Sequence, residues 1–452
     1  MSVVSQQRRL PAAKESNPGL TTLNLNNILL VARPQDWLLR FLGTVHLPML
    51  VAFALLGLWL TRGKVEGFKD RLVILYSLFI VHCGISIFWA ANNFWAYKST
   101  LDLVMWLFGG VLPMIAFVGK PQELRRLMSL WVLLHVFVGI YAQFVNHGAG
   151  PGGYLGDEND VALALCMALP YAYLGRTVFY KSAVGRLMGT ACALMIAVGV
   201  VASESRGGFV ALLVTALAII WFSPHRVRNL LVVAVLGGAL YLGMSQAYLN
   251  DMSTINDKQD STRVARLYSW GRGWEMFLDN PVIGVGAGNY PWRVAEYQER
   301  STAENVLGRS LGGRVAHSMY FTLFPETGLV GTSLFFAMLI IGVNRLRRIV
   351  RQLAGRADPD ALVVRQMAVA GLASVFGLLS GGAFVSVLYY PHFWYWLGIV
   401  VMLSKLAARL EPAGTGTASQ STPAGPRAQD TGNGNSSRIP GLRSGRYGSL
   451  CQ

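Results

Sequence analysis

Residues 187–222 read LMGTACALMIAVGVVASESRGGFVALLVTALAIIWF. Two apolar runs, 187–203 and 209–222, are separated by a link of only five residues. Neither run contains a charged side chain, and such runs predict helices that cross a membrane, since a span needs about 20 mostly apolar residues. The stretch therefore predicts two membrane helices joined by a short turn.

The same pattern extends over most of the 452-residue chain. Hydrophobic residues form 53% of the sequence and charged residues 14%, whereas soluble proteins have about 25% charged residues. This composition excludes an ordinary soluble enzyme and predicts an all-α polytopic membrane protein. The apolar runs lie at 37–60, 72–90, 101–118, 127–145, 161–179, 187–203, 209–222, 230–244, 317–343, 366–388 and 392–408.

The basic residues of the short loops predict the orientation in the membrane. Five loops contain seventeen Lys and Arg residues, and the alternate short loops contain only Lys98 and Arg206. Because Lys and Arg accumulate in cytoplasmic loops, the five basic loops are predicted to be cytoplasmic. The net charge of +16 is then a consequence of orientation and gives no support for a nucleic-acid partner. The basic loops are 61–71, 119–126, 176–186, 223–229 and 344–360.

The number of spans depends on the N-terminal region. Eleven spans would place the N-terminus outside, although basic residues near it, such as Arg8 and Arg33, favour the cytoplasm. If the stretch 20–60 contains two shorter passes, with a break near 33–36 or near Pro48, the basic N-terminus lies in the cytoplasm, as the positive-inside rule requires. We therefore predict about twelve transmembrane helices with both ends of the chain inside.

The domain organisation follows from these runs. We expect a cytoplasmic N-terminal segment at 1–36 with a possible hidden first span, transmembrane helices at 37–244 and 317–408, and a large outward-facing loop at 245–316. The tail at 409–452 is rich in Gly, Ser, Thr, Pro and Asn. Because it cannot bury enough apolar surface to offset its ordering entropy, it is predicted to be a disordered cytoplasmic segment.

The outward-facing loop is predicted to contain two amphipathic helices. Its eight basic and eight acidic residues leave it without net charge, so the positive-inside rule does not oppose export. Ser261 or Thr262 can cap a helix that ends at Asp279. Pro291 can begin a second helix that ends at about Leu307.

Two short motifs are best explained by local structure. GVGAGN at 284–289 is similar to a dinucleotide-binding loop only superficially, because no strand precedes it. The acidic loop at 157–160 precedes an apolar run, and Asp and Asn are favoured helix caps. We prefer the cap to a metal site there, because no histidine is near in the sequence.

Arg206 is the first candidate for chemistry. It lies in Ser-Arg-Gly-Gly at 205–208, in an outward-facing loop where basic residues are otherwise rare. Free N–H groups at a helix start attract anions, and a guanidinium group is suited to phosphate. The alternative is an arginine that reaches lipid headgroups or pairs with Glu204.

His317 and two arginines are further candidates. His317 opens the run at 317–343, where an imidazole can be a general base near neutral pH or an interfacial anchor. Arg263 and Arg266 lie on one side of the first turn of the predicted loop helix. Several arginines and a base suit an anionic lipid-phosphate substrate. The competing outward-side histidines are His46, His147 and His392, and weaker arginine candidates are Arg272 and Arg314.

Five short motifs, taken together, resemble the O-antigen ligase and polymerase superfamily of bacterial envelopes. The resemblance covers roughly residues 150–345 and rests on the order of the motifs and on their common side of the membrane. The motifs are Glu158-Asn159-Asp160-Val-Ala-Leu-Ala, Ser205-Arg-Gly-Gly, Asn280-Pro-Val-Ile-Gly-Val-Gly-Ala-Gly-Asn-Tyr, His317-Ser-Met-Tyr-Phe and Glu326-Thr-Gly-Leu-Val-Gly.

The resemblance implies a class C glycosyltransferase-like fold in the bacterial inner membrane, with a helical periplasmic loop domain and an active site facing the periplasm. It implies an inverting transfer without metal or cofactor from an undecaprenyl-pyrophosphate-linked glycan. For a ligase the acceptor is lipid A–core, and the product is lipopolysaccharide. An O-antigen polymerase and a protein O-oligosaccharyltransferase are alternatives, and a transporter is disfavoured because ionisable residues are few in mid-span.

The resemblance also implies roles for single residues. His317 would deprotonate the acceptor hydroxyl, and Arg206 with Arg263 or Arg266 would hold the pyrophosphate. The sequence does not choose between Arg263 and Arg266. Glu326 is expected inside the bundle, where it would support the helix that carries His317. Supporting candidates are Asn159, Glu326 and Arg314.

Overall fold

The computed structural model describes residues 17–39, 41, 46–62, 65–223, 226–242, 246, 261–300 and 307–410. Helices dominate, and none of the described residues forms a β-strand. The helices before the loop segment are α1 (Pro18–Val31), α2 (Leu47–Arg62), α3 (Arg71–Ile85), α4 (Asn93–Trp106), α5 (Leu112–Phe117), α6 (Pro121–Phe144), α7 (Glu158–Phe179), α8 (Ala183–Ala202), α9 (Arg206–Phe222) and α10 (Arg226–Leu242). The later helices are α11 (Ser261–Asp279), α12 (Tyr290–Arg300), α13 (Tyr320–Gln352), α14 (Pro359–Gly381) and α15 (Pro391–Arg409).

The helices identify a polytopic membrane protein. Within the described residues, seven are long and apolar enough to cross a bilayer, and α9 and most of α2 form shorter apolar helices. An all-α membrane protein is therefore confirmed, whereas the number of about twelve spans stays a prediction. The seven spans are Arg71–Phe88, Asn93–Phe117, Pro121–Phe144, Glu158–Phe179, Ala183–Ala202, Tyr320–Gln352 and Pro359–Gly381.

The N-terminal region contains a helix that the apolar runs did not include. α1 has 14 residues and is about 21 Å long at 1.5 Å per residue, shorter than the hydrocarbon core of about 30 Å. The chain breaks after it at Arg33, where φ is 46°, near the predicted break at 33–36. The prediction of a single helix over 37–60 was wrong. Trp37 ends a separate four-residue helix, and α2 begins at Leu47.

Helix α7 lies at the centre of the bundle. It packs against α6, α8, α9 and α14, and every residue from Asp160 to Ala172 is buried. A helix that is apolar and buried on all sides belongs to the core of a large bundle. Residues at its first turn therefore have fixed positions relative to the neighbouring helices.

Helix α13 is interrupted near Gly328, where φ is 59° and ψ is −163°. The backbone of the preceding loop fills the break. Val285 N donates to Pro325 O at 2.9 Å, and Leu329 N donates to Pro281 O at 2.7 Å. Unpaired backbone groups inside a membrane cost several kcal/mol each, so this pairing makes the break tolerable.

The glycines of the loop allow this close approach. Gly284 has φ of 73°, and a Cβ atom there would lie 2.4 Å from the backbone of Glu326. The motif at 284–289 therefore contacts the backbone of α13, and no strand precedes it among the described residues. The glycines of this motif allow the loop to pack closely against the broken part of α13.

Candidate active site

A cleft of about 830 Å³ opens at the end of the bundle where α7 begins. Its walls come from the first turn of α7, one side of α11 and the segment that precedes α13. It combines cationic, anionic and imidazole groups, and its volume lies in the range of small-molecule sites. Its charged, amide and imidazole side chains are those of Asp157, Glu158, Asn159, Arg266, Arg309, Arg314 and His317.

His317 lies in the loop before α13, three residues before the helix begins at Tyr320. The prediction that it opens the transmembrane helix was therefore wrong. Its φ of 49° is rare for a residue with a Cβ atom, and such a conformation persists only where the surrounding structure holds it. On its N-terminal side, Trp270 Nε1 donates to Ala316 O at 2.8 Å.

The other side of His317 is attached to the loop between α14 and α15. Met319 N donates to Gly382 O at 2.7 Å, and Ser318 N donates to Ser386 Oγ at 3.3 Å. The backbone on both sides of His317 is thus held between the loop helix α11 and the core of the bundle, which fixes the point from which its imidazole projects.

The surroundings of His317 favour a neutral imidazole. Partial burial and the positive charge of Arg266 lower its pKa from the usual 6.5, and Arg314 lowers it further. Asp157 acts in the opposite direction and raises the pKa. At pH 7 the imidazole is therefore mostly unprotonated and can accept a proton, as a general base must.

The structure distinguishes the two arginines that the sequence could not. Arg266 lines the cleft with His317, and its charge acts on the imidazole. Arg263 is exposed one turn earlier on α11 and is not among the described residues that line the cleft. Helix α11 runs from Ser261 to Asp279, the bounds that the sequence predicts.

Arg206 lies beside the cleft and does not line it among the described residues. It is the first residue of α9, whose cap is Ser205: Gly208 N donates to Ser205 Oγ at 2.9 Å. Ser205 Oγ in turn donates to Asn159 Oδ1 at 2.6 Å. Asn159 therefore connects the start of α9 to the cleft.

The acidic loop caps α7, as the sequence predicts. Asn159 N donates to Asp157 Oδ1 at 2.8 Å, and Asp157 is the N-cap residue. In the part of the chain that the structure describes, no group of three His, Cys, Asp or Glu side chains could hold a metal ion.

Glu326 is 2% exposed and lies in the bundle, away from the cleft. Its carboxylate accepts hydrogen bonds from Gly288 N and Tyr290 N, both at 2.8 Å, and from Tyr389 Oη at 2.6 Å. It is on the helix that follows His317, as expected. Its contacts, however, hold the glycine loop and the segment before α15 to the broken part of α13.

Comparison with known families identifies part of the chain. Residues 191–336 match the family model described as O-antigen ligase. The O-antigen ligase domain found by this match is limited to residues 191–336. The predicted resemblance to this superfamily is thereby confirmed, whereas no curated protein sequence matches the chain.

The O-antigen ligase domain contains most of the candidate residues. Arg206, Arg266, Arg314, His317 and Glu326 lie within 191–336. Asn159 and Asp157 precede the domain, so the first turn of α7 completes a cleft that the domain itself does not close. The match to this family supports an activity of the O-antigen ligase or polymerase type.

Two arginines of the domain have roles that the sequence did not indicate. Arg309 lines the cleft and was not a candidate, although it is a basic residue in a predicted outward-facing loop. Arg272 is 8% exposed; its guanidinium group lies 2.8 Å from Glu275 and over the ring of Tyr268. Arg272 therefore stabilises α11 and is not a cleft residue.

The second helix of the domain's loop is shorter than predicted. α12 spans Tyr290–Arg300, and the predicted end at Leu307 is a turn. Residues 301–306 lie outside the described residues, as do 1–16, 243–245, 247–260 and the tail from 411 onward. The predicted disorder of that tail is therefore not tested.

Proposed function

We propose that the protein is an O-antigen ligase, a class C glycosyltransferase that transfers a glycan from undecaprenyl pyrophosphate to lipid A–core. The transfer is inverting and metal-independent, and it takes place on the periplasmic face of the bacterial inner membrane. The observation that carries the proposal is the shared cleft of His317 and Arg266 within an O-antigen ligase domain.

His317 is the general base in this proposal. Its imidazole accepts the proton of the acceptor hydroxyl, whose oxygen attacks the anomeric carbon of the donor sugar. The bond from that carbon to the pyrophosphate oxygen breaks, and undecaprenyl pyrophosphate leaves. Attack opposite to the leaving group inverts the anomeric carbon, so the base and the pyrophosphate site occupy different sides of the sugar.

The arginines stabilise the leaving group. Arg266 lines the cleft, Arg314 and Arg309 lie on its wall, and Arg206 begins the adjacent helix. Positioned cations are most effective where charge develops in the transition state, and pyrophosphate gains negative charge as the bond breaks. Guanidinium groups thus supply the positive charge that the leaving group requires.

The position of the cleft suits two lipid-linked substrates. It lies at the end of α7, where the spans of the bundle begin, so sugars attached to lipids in the same membrane reach it from one plane. Confinement of both substrates to a plane removes part of the entropy cost of their encounter.

The test is a transfer assay with purified protein, a defined undecaprenyl-pyrophosphate glycan and three separate acceptors: lipid A–core, a second lipid-linked glycan and a Ser- or Thr-containing protein. We expect product with lipid A–core and none from His317→Ala. His147→Ala is the matched control, because His147 is also exposed with a positive φ of 45° but does not line the cleft.

Each outcome has a defined meaning. Transfer by His317→Ala at the wild-type rate contradicts the general-base role. Exclusive use of the lipid-linked acceptor identifies a polymerase, and exclusive use of the protein acceptor identifies a protein O-oligosaccharyltransferase.

A further inference from the structure

A second cavity of the bundle is an apolar crevice of about 190 Å³ between α7, α8, α9 and α10. Leu194 and Leu213 line it and are 36% and 51% exposed on the outer surface. Both helices that carry them are apolar, so the crevice opens toward the hydrocarbon of the surrounding membrane. A groove of this kind admits one hydrocarbon chain.

One end of the crevice carries a buried amide with an unused hydrogen-bonding atom. Asn229 lines the crevice and is 1% exposed. Tyr173 Oη donates to Asn229 Oδ1 at 2.7 Å, and Asn229 Nδ2 has no partner among the described residues. A buried polar atom left unpaired costs about 1–3 kcal/mol. The amide nitrogen is therefore placed to bind an acceptor atom of a ligand.

Positive charge is concentrated at the same end. The Arg176 guanidinium lies 3.6 Å from the ring centroid of Tyr173, and the charge of Arg228 acts on Arg176. Helices α8 and α10 both begin nearby, and helix N-termini carry partial positive charge. The positive charge of the two arginines is complementary to an anionic group at the mouth of the crevice.

We infer that the crevice binds an anionic phospholipid of the membrane. One acyl chain lies in the crevice, an ester carbonyl accepts a hydrogen bond from Asn229, and Arg176 and Arg228 hold the phosphate. Basic pockets between transmembrane helices bind anionic headgroups in this way.

The pyrophosphate of the donor cannot be the anionic group at the basic end of the crevice. Glu158 lies in the cleft and Arg176 lies 18 residues later on α7, a separation of about 27 Å along the helix. A donor whose pyrophosphate occupies the cleft, as the proposed function requires, cannot place the same group between Arg176 and Arg228. The anionic headgroup at Arg176 and Arg228 therefore belongs to a lipid other than the donor in the cleft.

The test measures binding of dioleoyl phosphatidylglycerol to the full-length protein in detergent, by native mass spectrometry and by the rise in melting temperature during titration. Dioleoyl phosphatidylcholine has the same chains without the net negative charge and serves as the comparison lipid. We expect phosphatidylglycerol to bind and to raise the melting temperature, and phosphatidylcholine to do so only weakly.

Three variants separate the contributions. Arg228→Gln should weaken phosphatidylglycerol binding about fivefold, since a basic residue near the membrane surface contributes about 1 kcal/mol. Asn229→Leu removes the amide donor and should weaken both lipids. Ala197→Phe fills the crevice, because Ala197 lines it, and should abolish binding of both lipids.

Arg226→Gln is the matched control. It removes the same charge from the same turn of α10, but Arg226 lies over the ring of Trp221 at 5.4 Å. We expect unchanged binding. Equal binding of the two lipids by the wild type, or equal weakening by Arg226→Gln and Arg228→Gln, overturns the inference. Loss of binding in Arg228→Gln with a normal melting temperature in the absence of lipid supports it even if Ala197→Phe does not fold.

Discussion

Ser205 Oγ donates a hydrogen bond to Asn159 Oδ1 at 2.6 Å and so joins the first turns of α9 and α7. The two residues are 46 positions apart in the chain. Asn159 lines the cleft, and Ser205 immediately precedes Arg206. This bond between the cap of α9 and the first turn of α7 therefore helps to position Arg206 beside the cleft.

Ser205→Ala tests whether this bond serves function as well as stability. Loss of a serine N-cap costs ~1 kcal/mol, so the melting temperature should fall modestly. Transfer should fall by about tenfold, the equivalent of ~1.4 kcal/mol, because Arg206 loses its attachment to the cleft. Ser182→Ala is the matched control, since Ser182 caps α8 through Gly185 N at 3.0 Å. Equal transfer rates in the two variants would contradict the role of the bond.

Arg266→Ala and Arg263→Ala test the choice between two neighbouring arginines. Removal of one group that stabilises a developing anion lowers turnover by about 100-fold, and we expect this for Arg266→Ala. Arg263 is exposed outside the cleft, and exposed charges contribute less than about 1 kcal/mol, so Arg263→Ala should lower kcat by less than fivefold. Steady-state kinetics decides, and the reverse order would show that the pyrophosphate binds elsewhere.

The pH dependence of transfer follows from the pKa of His317. The neighbouring arginines and partial burial lower this pKa below 6.5, so the base is unprotonated at pH 7. The rate should fall only as the pH drops through the lowered pKa. A pH profile of kcat/KM from about pH 4.5 to about pH 8.5 measures the acid limb, since these limits lie about two units either side of the usual histidine pKa.

Two conservative variants should move that limb in opposite directions. Arg314→Gln removes a charge that lowers the pKa, so the limb should move to higher pH. Asp157→Asn removes a charge that raises it, so the limb should move to lower pH, and asparagine still caps α7. Arg309→Gln is the control, since Arg309 lines the cleft but is not among the groups that shift the pKa of His317. Identical limbs in all three variants would rule out His317 as the titrating base.

Gly328→Ala tests the break in α13. The backbone there has φ of 59° and ψ of −163°, a region that only glycine adopts readily and that costs other residues about 1–3 kcal/mol. A Cβ atom would also lie 2.5 Å from the carbonyl of Val282. We expect a melting temperature several degrees lower, measured by tryptophan fluorescence in detergent.

Gly271→Ala is the control for that variant. Gly271 lies in α11, and a Cβ atom there has no heavy atom within 4 Å. Alanine is favoured over glycine in a helix by up to about 1 kcal/mol, so this variant should be as stable as the wild type or more stable. Equal melting temperatures for Gly328→Ala and Gly271→Ala would show that the broken conformation of α13 at position 328 does not require glycine.

The chain sequence alone was sufficient for features that depend on local composition or on the order of motifs. Uncharged apolar runs of this length predict membrane helices because a helix satisfies its backbone polar groups within one segment. The end of α11 at Asp279 follows from Asn280-Pro281, and the cap of α7 follows from its acidic start. The resemblance to the family was also found in this way, from motifs that lie in order along the chain, and His317 and Arg206 are the candidates that those motifs supply.

Only the tertiary structure decided which of these residues meet. Arg263 and Arg266 are both arginines near the start of α11, so the sequence treats them alike. The rotation of α11 against the bundle places Arg266, but not Arg263, in the cleft with His317. The break in α13 is filled by a glycine loop that lies well before it in the chain. Glu326, beside the break, accepts hydrogen bonds from loop residues that precede it by 36 and 38 positions. Such contacts depend on how whole helices pack, and a single local pattern carries no information about that packing.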